Sequence, residues 1–489
     1  MAHDRAVTGG HVPVLCTTIT EQVVSSEVTP QPWKAGSIEL SAQFRAAAQH
    51  GRVVLDATVG HGGHAEAILR ADPSAVLVGL DLDARCLAAA AERLRAAGVA
   101  DRAALVHSSA AEAPAVLQAL GAPGVHSVLL DLGVNSAQFS AERGLSFRAN
   151  GPLDMRLAAW PQDAQLELPS CSEMQRPKHT AQSVLASLDY ADLKSLFQTH
   201  DVGAWSSVIA RALVQWRGAG SSRRAIKSTL ELRHVVDTAI SEAVAAGIDA
   251  EQGPRTKAEH QTATHAIRKS KELSGKPSVW KTQRTREVAL KRIQARKPVH
   301  VSVLQRVFQA LRMVVNAEEA HIAGALAGTS NCVLPGGTMS IIAFAPHEDV
   351  FIRRLVARLA GPAVLSGPMP KVRHPLKAWM AALRETHWDG TMPGAPPNTA
   401  VDPAADGLLD QALATASASP PWKLLTPQPI RPEPAEARQN ARARSARLWQ
   451  LQAPASPASE SDVTPLQLGY HPANEALYLR KVRVKWPDM

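Results

Sequence analysis

The sequence predicts an α/β fold built on a parallel, doubly wound sheet, and three observations carry that prediction. Short apolar runs alternate with helical stretches between Arg52 and Phe147, the first run ends in a glycine-rich turn, and the second ends in a carboxylate. Val53–Ala57, Val76–Asp81, Ala103–Val106 and Val128–Leu132 read as strands buried on both faces, because their apolar character hardly alternates. Ala65–Arg70 and Ala84–Ala97 lie between strands and have helical composition and spacing. A later strand, Thr338–Phe344, is entered through the turn Leu334-Pro-Gly-Gly337. The sheet is therefore interrupted, and the residues between roughly 140 and 315 form something inserted into it.

That insert reads as helical. Ala181–His200, Trp205–Arg217, Leu230–Ala245 and Val303–Ala327 carry apolar residues at three- and four-residue spacing. Pro161–Lys178 and the basic Glu251–Pro298 do not look like core, and from about Gly361 the chain turns rich in Pro, Ala and Ser, as a loosely ordered tail would. The expected division is a first part of the core over 1–140, an inserted helical domain over 141–315 with a basic segment at 249–299, completion of the core over 316–360, and the tail over 361–489.

Composition narrows the function classes. The chain has 489 residues, more than one compact core usually accommodates, and its 45% apolar content is ordinary for a globular protein. No stretch approaches the ~20 apolar residues that span a bilayer, so no membrane partner is expected. Cys16, Cys86, Cys171 and Cys332 lie far apart without a CxxC pair, which argues against a disulfide framework or structural zinc. Met1 to Val12 contains no apolar signal region. A net charge of +9 makes a polyanionic partner plausible, and residues 251–300 alone carry 13 Lys/Arg against 4 Asp/Glu. That segment is either a solvated insert or an RNA-contacting one.

The first strand ends in Asp56-Ala-Thr-Val-Gly-His-Gly-Gly-His64, and its glycines let backbone N–H groups approach a ligand at a helix N-terminus. The spacing is not GxGxxG and the lysine of a P-loop is missing, which weakens a dinucleotide dehydrogenase and an NTPase. The second strand ends in Leu80-Asp81-Leu82-Asp83, and a carboxylate there is placed to accept hydrogen bonds from ribose hydroxyls. The fourth ends in the polar segment Asp131-Leu-Gly-Val-Asn-Ser-Ala-Gln138, where a methyl acceptor would meet a donor. Glycine loop, ribose acid and polar strand end together form a signature of S-adenosylmethionine methyltransferases. His61 and His64 lack further ligands at metal-binding spacing, so no metal is expected.

These residues resemble a particular family. Asp56-x-Thr-x-Gly-x-Gly-Gly-His64, Asp131-Leu-Gly-Val134, Glu142-Arg-Gly-Leu-Ser-Phe147 and Gly151-Pro-Leu-Asp-Met-Arg156 are similar to motifs of the bacterial-type 16S rRNA cytidine N4-methyltransferases. So are His11-Val-Pro-Val-Leu15, Arg306-x-Phe-Gln-Ala-Leu-Arg312 with Asn316 and Glu318, Leu334-Pro-Gly-Gly337 and Asn440-Ala-Arg-Ala-Arg-Ser445. The likeness covers roughly 7–160, 180–248, 300–360 and 436–452. It implies a Rossmann-like class I methyltransferase sheet with an inserted helical domain for RNA recognition, with S-adenosyl-L-methionine as cofactor. The implied partner is small-subunit rRNA or the pre-ribosomal small subunit, and a homodimer is a further expectation.

On the resemblance, the donor site falls on Gly62, Gly63, His64, Asp81, Asp131 and Gln138, with Ala110 where the family has an aromatic. The family's Ser-Ser after the fourth strand is Asn135-Ser136 here, and its histidine- and arginine-bearing strand end becomes Ala343-Phe-Ala-Pro-His-Glu-Asp-Val350. These departures leave an alternative open, a ribosome small-subunit assembly factor that keeps the fold without catalysis. The cytosine amine is a poor nucleophile, so it must be held in line with the sulfonium methyl while its hydrogens are accepted. Asp131, Asn135 and Ser136 are the expected acceptors, although Asp131 has an equal alternative in binding the methionine ammonium. Arg143, Arg148, Arg156, Arg442, Arg444 and Arg447 are candidate RNA contacts, against a solvated tail for the last three and an Asp154–Arg156 ion pair. The enlarged inserts suggest an organellar, mitochondrial setting, with the cytoplasm as the alternative because the match from His11 leaves little room for a presequence.

Overall fold

The computed structural model describes residues 13–24, 31–34, 36–133, 141–157, 179–218, 224–270, 283–295, 300–365, 422–440 and 442–455. Its strands are β1 (Val53–Asp56), β2 (Val76–Asp81), β3 (Ala103–His107), β4 (Val125–Asp131), β5 (Val333–Ala343), β6 (Lys423–Leu424) and β7 (Arg447–Gln452). They form one sheet in the order β3-β2-β1-β4-β5-β7-β6, with parallel pairing as far as β5 and antiparallel pairing beyond it.

Alternate residues of each buried strand feed two cores, as the period of two requires. Val53, Leu55, Val76, Val78, Val128 and Leu130 pack on one face. The helices there are α2 (Ala42–His50), α5 (Ala113–Leu120), α13 (Glu318–Ser330) and α14 (Pro346–Ala360). Val54, Leu77 and Leu129 pack on the other face, against α1 (Cys16–Val24), α3 (Gly63–Ala71) and α4 (Ala84–Ala96). A third core belongs to the insert. It is built by α6 (Ala181–Ser187), α7 (Tyr190–Thr199), α8 (Ser206–Arg217), α9 (Thr229–Ala245), α10 (Lys257–Lys269), α11 (Gln283–Ala295) and α12 (Val301–Val315).

The structure departs from the sequence expectations in five places. Ala181–His200 is two helices, because Asp189 leaves the helix and caps α7 by accepting the Asp192 N–H at 2.9 Å. Val303–Ala327 is also two, broken where Ala317 takes a φ of +46°. At that break Asn316 donates to the Met155 and Arg312 carbonyls, both at 2.8 Å, and accepts the Leu157 N–H at 2.7 Å. The basic segment is not outside the core: Ala263 and Ile267 of α10 and Leu290 of α11 are buried in the insert. Leu334–Gly337 lies inside β5 rather than ahead of it. Pairing there jumps from Val125–Val333 to Ser127–Thr338, and a Cβ on Gly337 would stand 2.7 Å from the His126 carbonyl.

The fifth departure is the tail. Residues 422–440 and 442–455 are part of the fold: β7 pairs with β5, and its Trp449 is 1% exposed and donates to Asp349 at 2.9 Å. A short helix, α15 (Pro434–Gln439), precedes it.

Candidate functional site

Asp56, Asp81 and Asp131 are the last residues of β1, β2 and β4, so parallel pairing brings all three carboxyls to one edge of the sheet. The turn after β1 ties them together. Thr58 donates its N–H to Asp56 at 3.3 Å and accepts the Asp131 N–H on its hydroxyl at 2.6 Å. Gly60 donates to Asp81 Oδ2 at 2.9 Å, and Asp83 donates its backbone N–H to Asp81 Oδ1 at 2.8 Å.

Gly62 and Gly63 open α3, Gly62 with a φ of +74° that only glycine takes without strain. Both also sit where a side chain would crowd a neighbour. A Cβ on Gly62 would lie 3.2 Å from Ala90, and one on Gly63 would lie 3.2 Å from the Pro13 ring. No side chain caps α3, so the positive end of its dipole is available to an anion.

The electrostatics of this edge favour a cation beside that anion. Burial pushes Asp56 and Asp81 up to about 7. Burial, then the charges of Asp56 and Glu348, push Asp131 up to about 8, while Arg442 opposes the rise. Among the described residues Asp56 Oδ2 and Asp131 Oδ1 are buried without a hydrogen-bond partner. His64 is buried, with Nε2 3.7 Å from Asp131 Oδ2. Buried acceptors of raised proton affinity call for a positively charged, hydrogen-bonding ligand.

The structure brings together Gly62, Gly63, His64, Asp81 and Asp131 from the sequence-based set. Ala110 begins a 3-10 turn just after β3 and is half-buried, packed against the sheet core. Asn135, Ser136 and Gln138 lie outside the described residues. Asp56 is a member that sequence reasoning passed over, although its place at a strand end was legible. Glu348 is another: it is buried and its Oε2 accepts the Phe344 and Ala345 N–H groups at 2.7 and 2.9 Å. Its other oxygen faces the strand end at Gly133, where a Cβ would lie 3.9 Å from it.

The two ends of the described chain meet here. The Leu15 N–H donates to Glu436 of α15 at 2.7 Å, and the following motif carries Arg442 toward Asp131. The other arginines divide. Arg148 and Arg444 are exposed, Arg156 grips Asp154 with two bonds of 2.7 Å, and Arg447 pairs with Asp349 at 3.5 Å. Arg143 is not an RNA-facing residue: it is 3% exposed and bound to Asp83. Among the described residues no group of three or more His, Cys, Asp or Glu is arranged to hold a metal ion, and no helix is long and apolar enough to cross a membrane.

A doubly wound sheet with an inserted helical domain, acids ending its first, second and fourth strands and a glycine turn into a helix define a Rossmann-like methyltransferase. Residues 9–384 match the MraW methylase family, and the chain belongs to that family, whose members are bacterial-type 16S rRNA cytosine N4-methyltransferases. "Ribosomal RNA small subunit methyltransferase H" of Syntrophobacter fumaroxidans is 29% identical over 84% of this chain and 93% of its own length. The proteins of the same name from Leifsonia xyli and Sorangium cellulosum are 31% identical over 67% of this chain and 79% of theirs, and 30% identical over 62% and 72%.

Proposed function

We propose that this chain transfers a methyl group from S-adenosylmethionine to N4 of a cytosine in the decoding region of small-subunit rRNA. The observation that carries the reading is the edge formed by Asp56, Asp81 and Asp131, with two buried oxygens unpartnered among the described residues, beside the uncapped start of α3. S-adenosylmethionine supplies a methyl group on a sulfonium, and it also brings an ammonium, a carboxylate and a ribose. The residues suit each of these groups. Asp81 accepts from the ribose hydroxyls while the Gly60 and Asp83 N–H groups hold it in place. The N-terminus of α3 receives the methionine carboxylate. Asp131 Oδ1 accepts a hydrogen from the ammonium or from the cytosine amine.

The transferred methyl leaves a proton on N4 to be lost, and the raised proton affinity of Asp131 fits it to take that proton. The flipped base needs a positive surface around the site. The insert offers Lys257, Arg268, Lys269, Arg284, Lys291 and Arg292, all exposed on α10 and α11. The test is methyl transfer from labelled S-adenosylmethionine to small subunits lacking the modification, read as N4-methylcytidine by mass spectrometry. Wild-type protein should deposit it, and Asp131→Ala should not, while RNA affinity stays within a few-fold because phosphate contacts dominate that interface. No N4-methylcytidine with wild-type protein would overturn the reading.

A further inference from the structure

We infer that Arg143 is a positioning residue for the donor's ribose, acting through Asp83 on Asp81; this rests on the proposed donor site and adds to it a residue outside the sheet. Arg143 holds Asp83 with both ends of its guanidinium, Nη1 to Oδ2 at 2.6 Å and Nη2 to Oδ1 at 3.1 Å. The pair is closed off from water, with side chains 4% and 2% exposed. Asp83 in turn caps α4 by accepting the Arg85 N–H, and its own backbone N–H fixes Asp81 Oδ1. The other oxygen of Asp81 is fixed by Gly60 of the glycine turn. The planar fork of an arginine therefore sets the residue that sets the ribose acid, and a lysine cannot reproduce two parallel bonds.

Arg143 does not belong to the sheet that carries the donor site. It lies on the segment leading into the insert, where its carbonyl accepts the Met155 N–H at 2.9 Å and its Nη1 also donates to the Leu157 carbonyl at 3.0 Å. Leu157 and Met155 are both bound to Asn316, at the break between the last insert helix and α13. The chain of contacts thus runs from the seam of the two domains to the ribose acid: Asn316, Leu157, Arg143, Asp83, Asp81. The orientation of Asp81 depends on the insert being seated.

An ion pair that merely held the fold together would lower stability without touching the donor, so the test separates the two. In the full chain, S-adenosylmethionine affinity is measured by calorimetry and KM and kcat by methyl transfer, for Arg143→Met, Arg143→Lys, Asp81→Ala and Arg233→Met. Arg233, itself buried, makes a looser pair with Asp237 at 3.4 Å inside the insert, outside the contact chain that reaches Asp81. Arg143→Met should weaken donor binding about tenfold and raise the donor KM alike, with kcat at saturation changed by less than about threefold, as loss of ground-state binding requires. Arg143→Lys should recover part of the affinity, and Arg233→Met should lower thermal stability alone. Should Arg143→Met fail to fold, the lysine variant decides: affinity weakened relative to wild type supports the inference, and unchanged affinity overturns it. Folded Arg143→Met with wild-type affinity, where Asp81→Ala has lost it, also overturns it. If Asp81→Ala itself keeps full affinity, the donor reading fails first.

Discussion

Thr58 accepts the backbone N–H of Asp131 on its hydroxyl at 2.6 Å, so the turn after β1 governs the end of β4. Thr58→Val keeps the shape and removes the acceptor. A part-buried N–H is then left unpaired, at a cost of about 1–3 kcal/mol. The urea midpoint should fall accordingly, and methyl transfer should fall with it because Asp131 is no longer held. An unchanged midpoint and rate would show that water replaces the hydroxyl without loss.

Asp81→Ala removes the charged acceptor assigned to the ribose, with each such bond worth roughly 1.5–3 kcal/mol. Calorimetry should find S-adenosylmethionine binding at least tenfold weaker, and circular dichroism should find the fold retained. Equal affinity in the two proteins would remove Asp81 from the site.

The three strand-end acids make the free protein sensitive to pH in a stated direction. Their folded values, about 7 for Asp56 and Asp81 and about 8 for Asp131, lie above the ordinary 3.8. The folded chain therefore holds protons that the unfolded chain releases, and stability falls as pH rises from about 4 to about 8. A cationic donor displaces those protons, so its affinity should rise between about pH 6 and 8. Asp131→Asn should flatten that dependence in a calorimetric titration; a slope identical to wild type would place the titrating group elsewhere.

Because α10 and α11 bury Ala263, Ile267 and Leu290, deleting the basic segment would damage the insert core. Charge removal is the cleaner probe. Replacing Lys257, Arg268, Lys269, Arg284, Lys291 and Arg292 with glutamine should flatten the plot of log affinity for rRNA against log salt by roughly 0.7–0.9 per lost phosphate contact. Donor binding should not change. A salt slope equal to wild type would leave these helices as a solvated face.

The sheet was legible because parallel strands buried on both faces write continuous apolar runs, and β2 emerges with the bounds the sequence predicts. The positions of Asp81 and Asp131 at strand ends were legible for the same reason, since both follow directly on those runs. Other features left weaker marks. The break at Asn316 depends on hydrogen bonds to Met155 and Leu157, residues far away in the chain, and helical spacing runs straight through it. The apolar positions of α10 and α11 are few among lysines and arginines, so composition hid them. Arg143 looked like an RNA contact because its partner Asp83 lies sixty residues away. β7 is six residues long and follows a Pro- and Ala-rich stretch, so its place in the sheet rests on pairing with β5 and β6, residues distant in the chain.

The late position of β7 in the chain bears on biosynthesis. Chains emerge from the ribosome N-terminus first, so β1 to β5 are exposed long before the strand that covers the free edge of β5 has been made. Until then that edge offers a row of unpaired N–H and carbonyl groups to any neighbouring chain. Arg442, which tempers the charge of Asp131, arrives on the same late segment. A nascent chain stopped before Arg442 thus carries the whole glycine turn and yet neither a sealed sheet nor the arginine that tempers Asp131. The strand that seals the sheet and the arginine that tempers Asp131 therefore arrive together, after the rest of that edge has been made.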